Sequence, residues 1–217
     1  MIRRGFLQAG GGSTRFGTDK ALVKIAGKTM LQRTAELLAT VCDEVSIVAP
    51  PQKYENFPWP ILADRWPAEG PLGGILTALL STDLAAHPGT AGHESRSLIL
   101  SCDMPFLTPE FLSFLWERAS LNKAQVVVPE SESGLEPLCA CWRADAAATI
   151  QTAFDSGVRK VTQAMQQLTM EVLDEPLWKR FDTHNRLFWN MNTLEDYEEA
   201  RYILETEFET GKLETGS

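Results

Sequence analysis

The sequence predicts an α/β domain built on a doubly wound, mostly parallel sheet. Two observations carry this. Short apolar runs alternate with stretches of helical periodicity along the chain, the pattern of a parallel sheet covered on both faces. One run, Ser97–Cys102, is continuously apolar apart from its ends, as a strand buried on both faces must be. The chain has 217 residues, of which 44% are hydrophobic and 23% charged. That is ordinary globular matter, long enough to bury a real core.

The elements follow in order. Arg4–Gln8 reads as a short buried strand. Thr29–Val41 reads as a helix opened by the capping box Thr29-x-x-Gln32. Val45–Ala49 is a strand with β-branched residues, and Ile61–Ala63 a shorter one. Pro71 starts a helix where proline costs nothing, running to about Ser81. His87–Arg96 is polar and reads as a loop, before the strand Ser97–Cys102. Thr108-Pro109 caps a helix to about Ala119. Gln125–Pro129 and Leu135–Trp142 read as strands and Ala144–Ser156 as a helix. Thr193-x-x-Asp196 caps a last helix with Leu194, Tyr197, Ala200, Ile203 and Leu204 on one face. Residues 1–204 are expected to form one domain, and 205–217 a polar tail that frays.

Formal charge is −9, which argues against nonspecific nucleic-acid binding. It is unevenly spread: residues 1–40 hold seven basic and two acidic side chains, a net +5, whereas 195–217 carry −6. A basic first segment in an acidic protein marks where an anion can sit. No run of 18 apolar residues spans a membrane, and the apolar start is too short for a secretory signal. Cys42, Cys102, Cys139 and Cys141 form no CxxC pair, and His87, His93 and His184 stand at no metal-ligand spacing. Cys139 and Cys141, two apart on one strand, share a face. All four read as reduced thiols of a cytoplasmic protein.

Ligands of such sheets bind at the carboxyl ends of the strands. The first strand ends in Gln8-Ala9-Gly10-Gly11-Gly12-Ser13-Thr14-Arg15-Phe16-Gly17-Thr18-Asp19-Lys20. Three glycines let amide N–H groups approach a ligand, and Arg15 and Lys20 can flank a polyphosphate. The P-loop pattern fails, because Thr18-Asp19 follows Gly17 where Lys-Ser or Lys-Thr belongs; the dinucleotide fingerprint fails, because Arg15 replaces its third glycine. A plain glycine-rich turn with surface cations is the bland alternative. Asp64 follows the third strand. Gly70-Pro71-Leu72 opens a helix whose first amides are unpaired; by itself it equally suits a surface turn. Asp103 follows a central strand and is either a turn aspartate or a ligand for Mg²⁺, which takes one or two carboxylates plus phosphate and water. Arg159 and Lys160 are a cationic pair at a helix start. Asn190 and Asn192, if on a strand, share a face and can donate and accept along a heterocycle edge.

Ala9-Gly10-Gly11-x-x-x-Arg15-Phe16-Gly17-x-Asp19-Lys20-Ala21-Leu22, followed by Ala26-Gly27-Lys28-x-Met30-Leu31, resembles the N-terminal signature of the nucleotidyltransferases that build molybdenum cofactor dinucleotides, in particular the molybdenum cofactor guanylyltransferases. Further segments carry the likeness: Gly70-Pro71-Leu72-x-Gly74, Cys102-Asp103-Met104-Pro105, Pro137-Leu138-x-Ala140, Gly157-Val158-Arg159-Lys160-Val161 and Asn190-Met191-Asn192-Thr193-Leu194-Glu195-Asp196. It spans about residues 4–200. Two departures stand out: Gln8 where the family usually has Leu, and Val48 where some relatives have a nucleotide-contacting Asn.

The resemblance implies a Rossmann-like nucleotidyltransferase fold and transfer of GMP from GTP to the terminal phosphate of molybdopterin, with pyrophosphate leaving. It implies GTP contacts at Gln8, Ala9, Gly10, Gly11, Lys20, Asp64, Gly70, Leu72 and Asp103, with Arg15, Lys20 and Asp103 catalytic and Mg²⁺ on Asp103. Molybdopterin would fall to Arg159, Lys160, Asn190 and Asn192, and molybdoenzymes or their chaperones would receive the product. A related cytidylyltransferase or sugar-nucleotide transferase is the nearest alternative; a non-catalytic nucleotide-binding protein is the other.

Overall fold

The computed structural model describes residues 2–10, 19–50, 52–84 and 95–210. Gly11, Gly12 and Arg15 of the expected phosphate loop, the 87–94 stretch and the end of the tail lie outside them.

Ten strands and seven α-helices are described in chain order. They are β1 (Arg4–Gln8), β2 (Lys24–Ile25), β3 (Lys28–Thr29), α1 (Met30–Ala39), β4 (Glu44–Ala49), β5 (Ile61–Ala63), α2 (Pro71–Leu84), β6 (Arg96–Ser101) and α3 (Pro109–Leu121). After these come β7 (Val126–Ser131), β8 (Gly134–Leu135), β9 (Cys139–Arg143), α4 (Ala146–Asp155), α5 (Val161–Ala164), β10 (Met170–Leu173), α6 (Glu175–Trp178) and α7 (Leu194–Glu209). The main sheet runs β10-β7-β9-β6-β1-β4-β5, with β8 on β7. β1 is parallel to β4 and β6, and β4 to β5, and β7 to β10. β9 is antiparallel to both neighbours and β8 to β7, so the expected mostly parallel sheet holds with two strands reversed.

Alternation along the strands divides the core. Leu7, Leu98, Leu100, Cys139 and Cys141 face the layer that includes α1 and α3. Phe6, Ile99, Ala140 and Trp142 face α2, α4 and α5. The two cysteines do share a face, as period two requires. All four cysteines are free, and burial pushes the thiols of Cys42 and Cys141 up to about 12. Thiolate is therefore scarce and these groups are chemically quiet. A third cluster joins Ile25 and Met30, at the β2–β3 hairpin, to Met191 and to Ala200 and Leu204 of α7.

Both predicted boxes lie at helix starts, but only the second is reciprocal: the Gln32 side chain donates to Glu36 Oε1 at 3.0 Å instead of returning to Thr29. Thr29 Oγ1 accepts from Gln32 N at 3.1 Å, and Thr193 and Asp196 exchange side-chain and backbone bonds. Three expectations are corrected. The single strand over Leu135–Trp142 is two, because Pro137 has no N–H for a ladder and Glu136 turns inward. α7 continues through 205–209, beyond the expected boundary at 204. Asn190 and Asn192 lie on no strand: Met191 N instead donates to Asp103 O at 2.9 Å, and the Met191 side chain is fully buried.

Glu136 is 7% exposed and accepts from Ser131 Oγ at 2.7 Å. Burial raises its carboxyl above the ordinary range, against the Ser131 bond and with the nearby charge of Asp103. The charged form is thus a burden on the fold at high pH, relieved as pH falls through the raised pKa. Glu136→Gln is expected to gain stability over the parent at neutral pH and above, and to lose that gain in acid, as read by urea unfolding across pH. Trp142→Ala, emptying the fully buried indole site, is expected to cost about 3–5 kcal/mol in the same measurement.

Candidate active site

Parallel register brings three strand ends to one level: Gln8 pairs with Val48 on one side and Ser101 on the other. Beyond that level lie Gly10, Asp103 and, past β5, Asp64.

Gly10 has φ +106°, and a Cβ there would stand 2.5 Å from Pro50 Cδ. Glycine is thus required both by its dihedral and by the loop against it. Asp19 accepts from Ala21 N at 3.1 Å, capping the 3₁₀ turn Lys20–Leu22. Lys20 Nζ donates to Asn192 Oδ1 at 3.3 Å, linking residues 172 apart in sequence. Asn192 N and Thr193 N donate to Asp196 Oδ2 at 2.8 and 2.7 Å. These bonds outweigh burial and, with Lys20 nearby, hold the Asp196 carboxyl below its usual range. Asp103 is half-buried, hydrogen-bonded to Ser101 Oγ, and joined through its backbone carbonyl to Met191 N. Lys20, Asp103 and Asn192 therefore form one assembly.

The other side of the site is formed at α2. Gln8 Nε2 donates to Pro71 O at 3.1 Å, and its amide lies where a Cβ on Gly74 would come within 2.8 Å. Gln8 thus seats the first turn of α2 on the end of β1. Gly70 has φ +75° with open space beside it. Leu72 is fully buried in the core, so any ligand contact there comes from its backbone. Asp64 Oδ1 accepts from Trp66 N at 2.9 Å and Thr77 Oγ1 at 3.1 Å, tying the end of β5 to α2.

The residues expected to hold the acceptor are not grouped. Arg159 pairs with Glu69, donates to Phe154 O at 2.8 Å and stacks on the Phe154 ring at 4.1 Å. That holds it on the α2–α4 side, whereas Asn192 faces Lys20. Asn190 Nδ2 donates to Phe188 O at 3.3 Å. Lys160 is exposed at the start of α5.

Lys53 and Tyr54 were missed by motif reading. Lys53 Nζ lies 2.7 Å from Asp19 Oδ2, and Tyr54 OH donates to the same oxygen at 2.6 Å. Burial disfavours the Asp19 charge, but these bonds win and hold its carboxyl below the usual range; burial and the same contact push the Tyr54 hydroxyl up. Both follow β4 at its carboxyl end, where ligands of such sheets bind, but a lysine and a tyrosine in a loop carry no motif that singles them out. Among the described residues no three His, Cys, Asp or Glu side chains cluster to hold a metal. One carboxylate among hydrogen-bond donors suits a cation that draws its other ligands from substrate and water.

The sequence profile of the MobA-like NTP transferase domain matches residues 5–169. A molybdenum cofactor guanylyltransferase of Desulfosudis oleivorans is 32% identical over 198 residues, 90% of this chain and 93% of that protein. A probable molybdenum cofactor guanylyltransferase of Chloroflexus aggregans is 29% identical over 211 residues, covering 95% and 97%. Among solved structures, molybdopterin-guanine dinucleotide biosynthesis protein A of Archaeoglobus fulgidus superposes with TM-score 0.80 at 22% identity, over 94% of this chain and 99% of that one. A 2-C-methyl-D-erythritol 4-phosphate cytidylyltransferase of Thermus thermophilus shares the fold more loosely, at TM-score 0.66 and 14% identity over 94% and 100%. With a profile match over most of its length and relatives aligned nearly end to end, the chain belongs to the MobA-like NTP transferase family.

Proposed function

We propose that this chain transfers GMP from GTP to the terminal phosphate of molybdopterin, forming the guanine dinucleotide and releasing pyrophosphate. The observation that carries the reading is the Lys20–Asn192 hydrogen bond at 3.3 Å, with Met191 N on Asp103 O. These join three segments of the family signature at one strand end.

An oxygen of the molybdopterin phosphate attacks the α-phosphorus of GTP in line; the bond from that phosphorus to the bridging oxygen breaks, and pyrophosphate takes its electrons. The nucleophile is already an anion, so no general base is required. What the chain supplies is placement and charge. Lys20 meets the triphosphate from the 3₁₀ turn, with Gly10, Gly11, Gly12 and Arg15 of the loop before it. Gln8, Ala9, Gly70 and the backbone of Leu72 bound the base, and Asp64 accepts from guanine or ribose. Asn190 and Asn192 orient the pterin. Lys160 faces the acceptor phosphate. Arg159 joins it by leaving Glu69, a cheap exchange because the pair is 42% and 44% exposed and such pairs are worth about 0–1 kcal/mol.

Asp103 suits Mg²⁺, a hard cation that keeps waters and phosphate oxygens beside one or two carboxylates; when bound it would offset charge on those oxygens. Among the described residues no helix is long and apolar enough to cross a membrane. The four free thiols fit the reducing cytoplasm, and the product would pass to molybdoenzymes or their chaperones.

Pyrophosphate release with GTP, Mg²⁺ and molybdopterin tests the whole reading; no release above background overturns it. In that assay Lys20→Ala and Asp103→Ala are each expected to lower kcat at least ~10²-fold, the scale of one lost transition-state contact. Calorimetric titration is expected to show GTP binding and no comparable CTP binding; preference for CTP would instead favour a cytidylyltransferase.

A further inference from the structure

The loop after β4 bears on the phosphate side of the site from outside the segments that carried the family resemblance in the sequence. Pro50 packs on Gly10 so closely that a Cβ at Gly10 would come within 2.5 Å of its Cδ. Three residues on, Lys53 Nζ is 3.8 Å from that same Cβ position and 2.7 Å from Asp19 Oδ2. Tyr54 OH donates to the same Asp19 oxygen at 2.6 Å. The residues on either side of Lys53 are in the left-handed region, Gln52 at φ +67° and Tyr54 at φ +62°. Non-glycine residues hold such dihedrals only when the surroundings enforce them, and these positions cluster at functional sites.

Asp19 is the hub. Its Oδ1 caps the turn that carries Lys20, and its Oδ2 is taken by Lys53 and Tyr54. An aspartate next to the lysine that meets a triphosphate has two faults: unpaired, it repels the substrate; free to rotate, it releases the turn. Lys53 neutralises the carboxylate and Tyr54 fixes its rotamer, and with Asp19 19% exposed solvent screens the contact only in part. Lys20 then reaches Asn192 from a turn held at both ends.

We propose that Lys53 and Tyr54 are positioning residues for Lys20, acting through Asp19. The proposal rests on the reading that Lys20 holds the nucleotide phosphates. It treats the β4–β5 loop as part of the phosphate site although the loop need not touch phosphate.

Two measurements test it. The first needs no substrate: amide hydrogen exchange at Ala21, whose N–H is bonded to Asp19 Oδ1, followed by NMR in the parent, Lys53→Met and the nearly isosteric Tyr54→Phe. Exchange at Ala21 is expected to quicken by roughly tenfold, the scale of one charge-assisted hydrogen bond, with amides of β1 and β6 unchanged. Unchanged Ala21 exchange in both variants overturns the brace. The second is pyrophosphate release with GTP, Mg²⁺ and molybdopterin. Each variant is expected to lower kcat by about tenfold with a smaller change in KM, and Lys53→Arg to restore most of the loss. In a Lys20→Ala background both substitutions are expected to have no further effect, because their route to the substrate is gone. Losses that multiply in that background overturn the proposal and make Lys53 a direct phosphate ligand. If the parent releases no pyrophosphate, the functional reading fails while Ala21 exchange still decides the brace.

Discussion

The parallel register of β1 with β4 and β6 is the constraint on which the rest of the molecule depends. Because Gln8, Val48 and Ser101 stand side by side, three chain segments far apart in sequence leave the sheet at one height. Gly10, Pro50 and Asp103, each just past a strand end, must then share one small volume. The backbone fits that volume through Gly10, where Pro50 leaves no room for a side chain. A one-residue slip of β1 would exchange Leu7 and Phe6 between the two layers, so the core that stabilises the sheet also fixes where the chemistry sits.

Electrostatics in this volume follows one pattern. Carboxylates near the site are individually bound: Asp19 by Lys53 and Tyr54, Asp196 by two backbone amides, Asp103 by Ser101. An acidic chain can therefore receive a polyanion. Glu136 is held by Ser131 in a buried position, and there burial raises its carboxyl above the usual range. The formal net charge of −9 describes the molecule as a whole; what the ligand meets is set by which carboxylates already hold a partner.

Much of the layered fold was legible because local signals agree with it. A β-branched run marked β4 and an apolar run β6, Pro71 and Pro109 marked helix starts, and Thr29 and Thr193 marked their caps. What stayed hidden has physical reasons. The β2–β3 hairpin has two residues a side, too few for any periodicity. The reversal of β9 is a choice of partner, which no local pattern encodes. Of the site, the Gly10, Lys20, Asp64 and Asp103 positions were visible as residues following strands. Lys53 was not, since a lysine in a loop is commonplace and its meaning comes from Asp19, 34 positions earlier. Asn190 and Asn192 were singled out by their spacing and by the family resemblance; their placement comes from the Met191–Asp103 bond rather than from a strand.

The bond between Lys20 and Asn192 also bears on time. Gly10, Lys20, Asp64 and Asp103 all stand within the first 103 residues. The partner of Lys20 comes 172 residues later, on the segment that introduces α7, and a contact of such separation is slow to form. That bond therefore forms only after the segment carrying Asn192 has been made, and α7, packed through Ala200 and Leu204 on Ile25 and Met30, ties the carboxyl-terminal segment of the fold to its first hairpin.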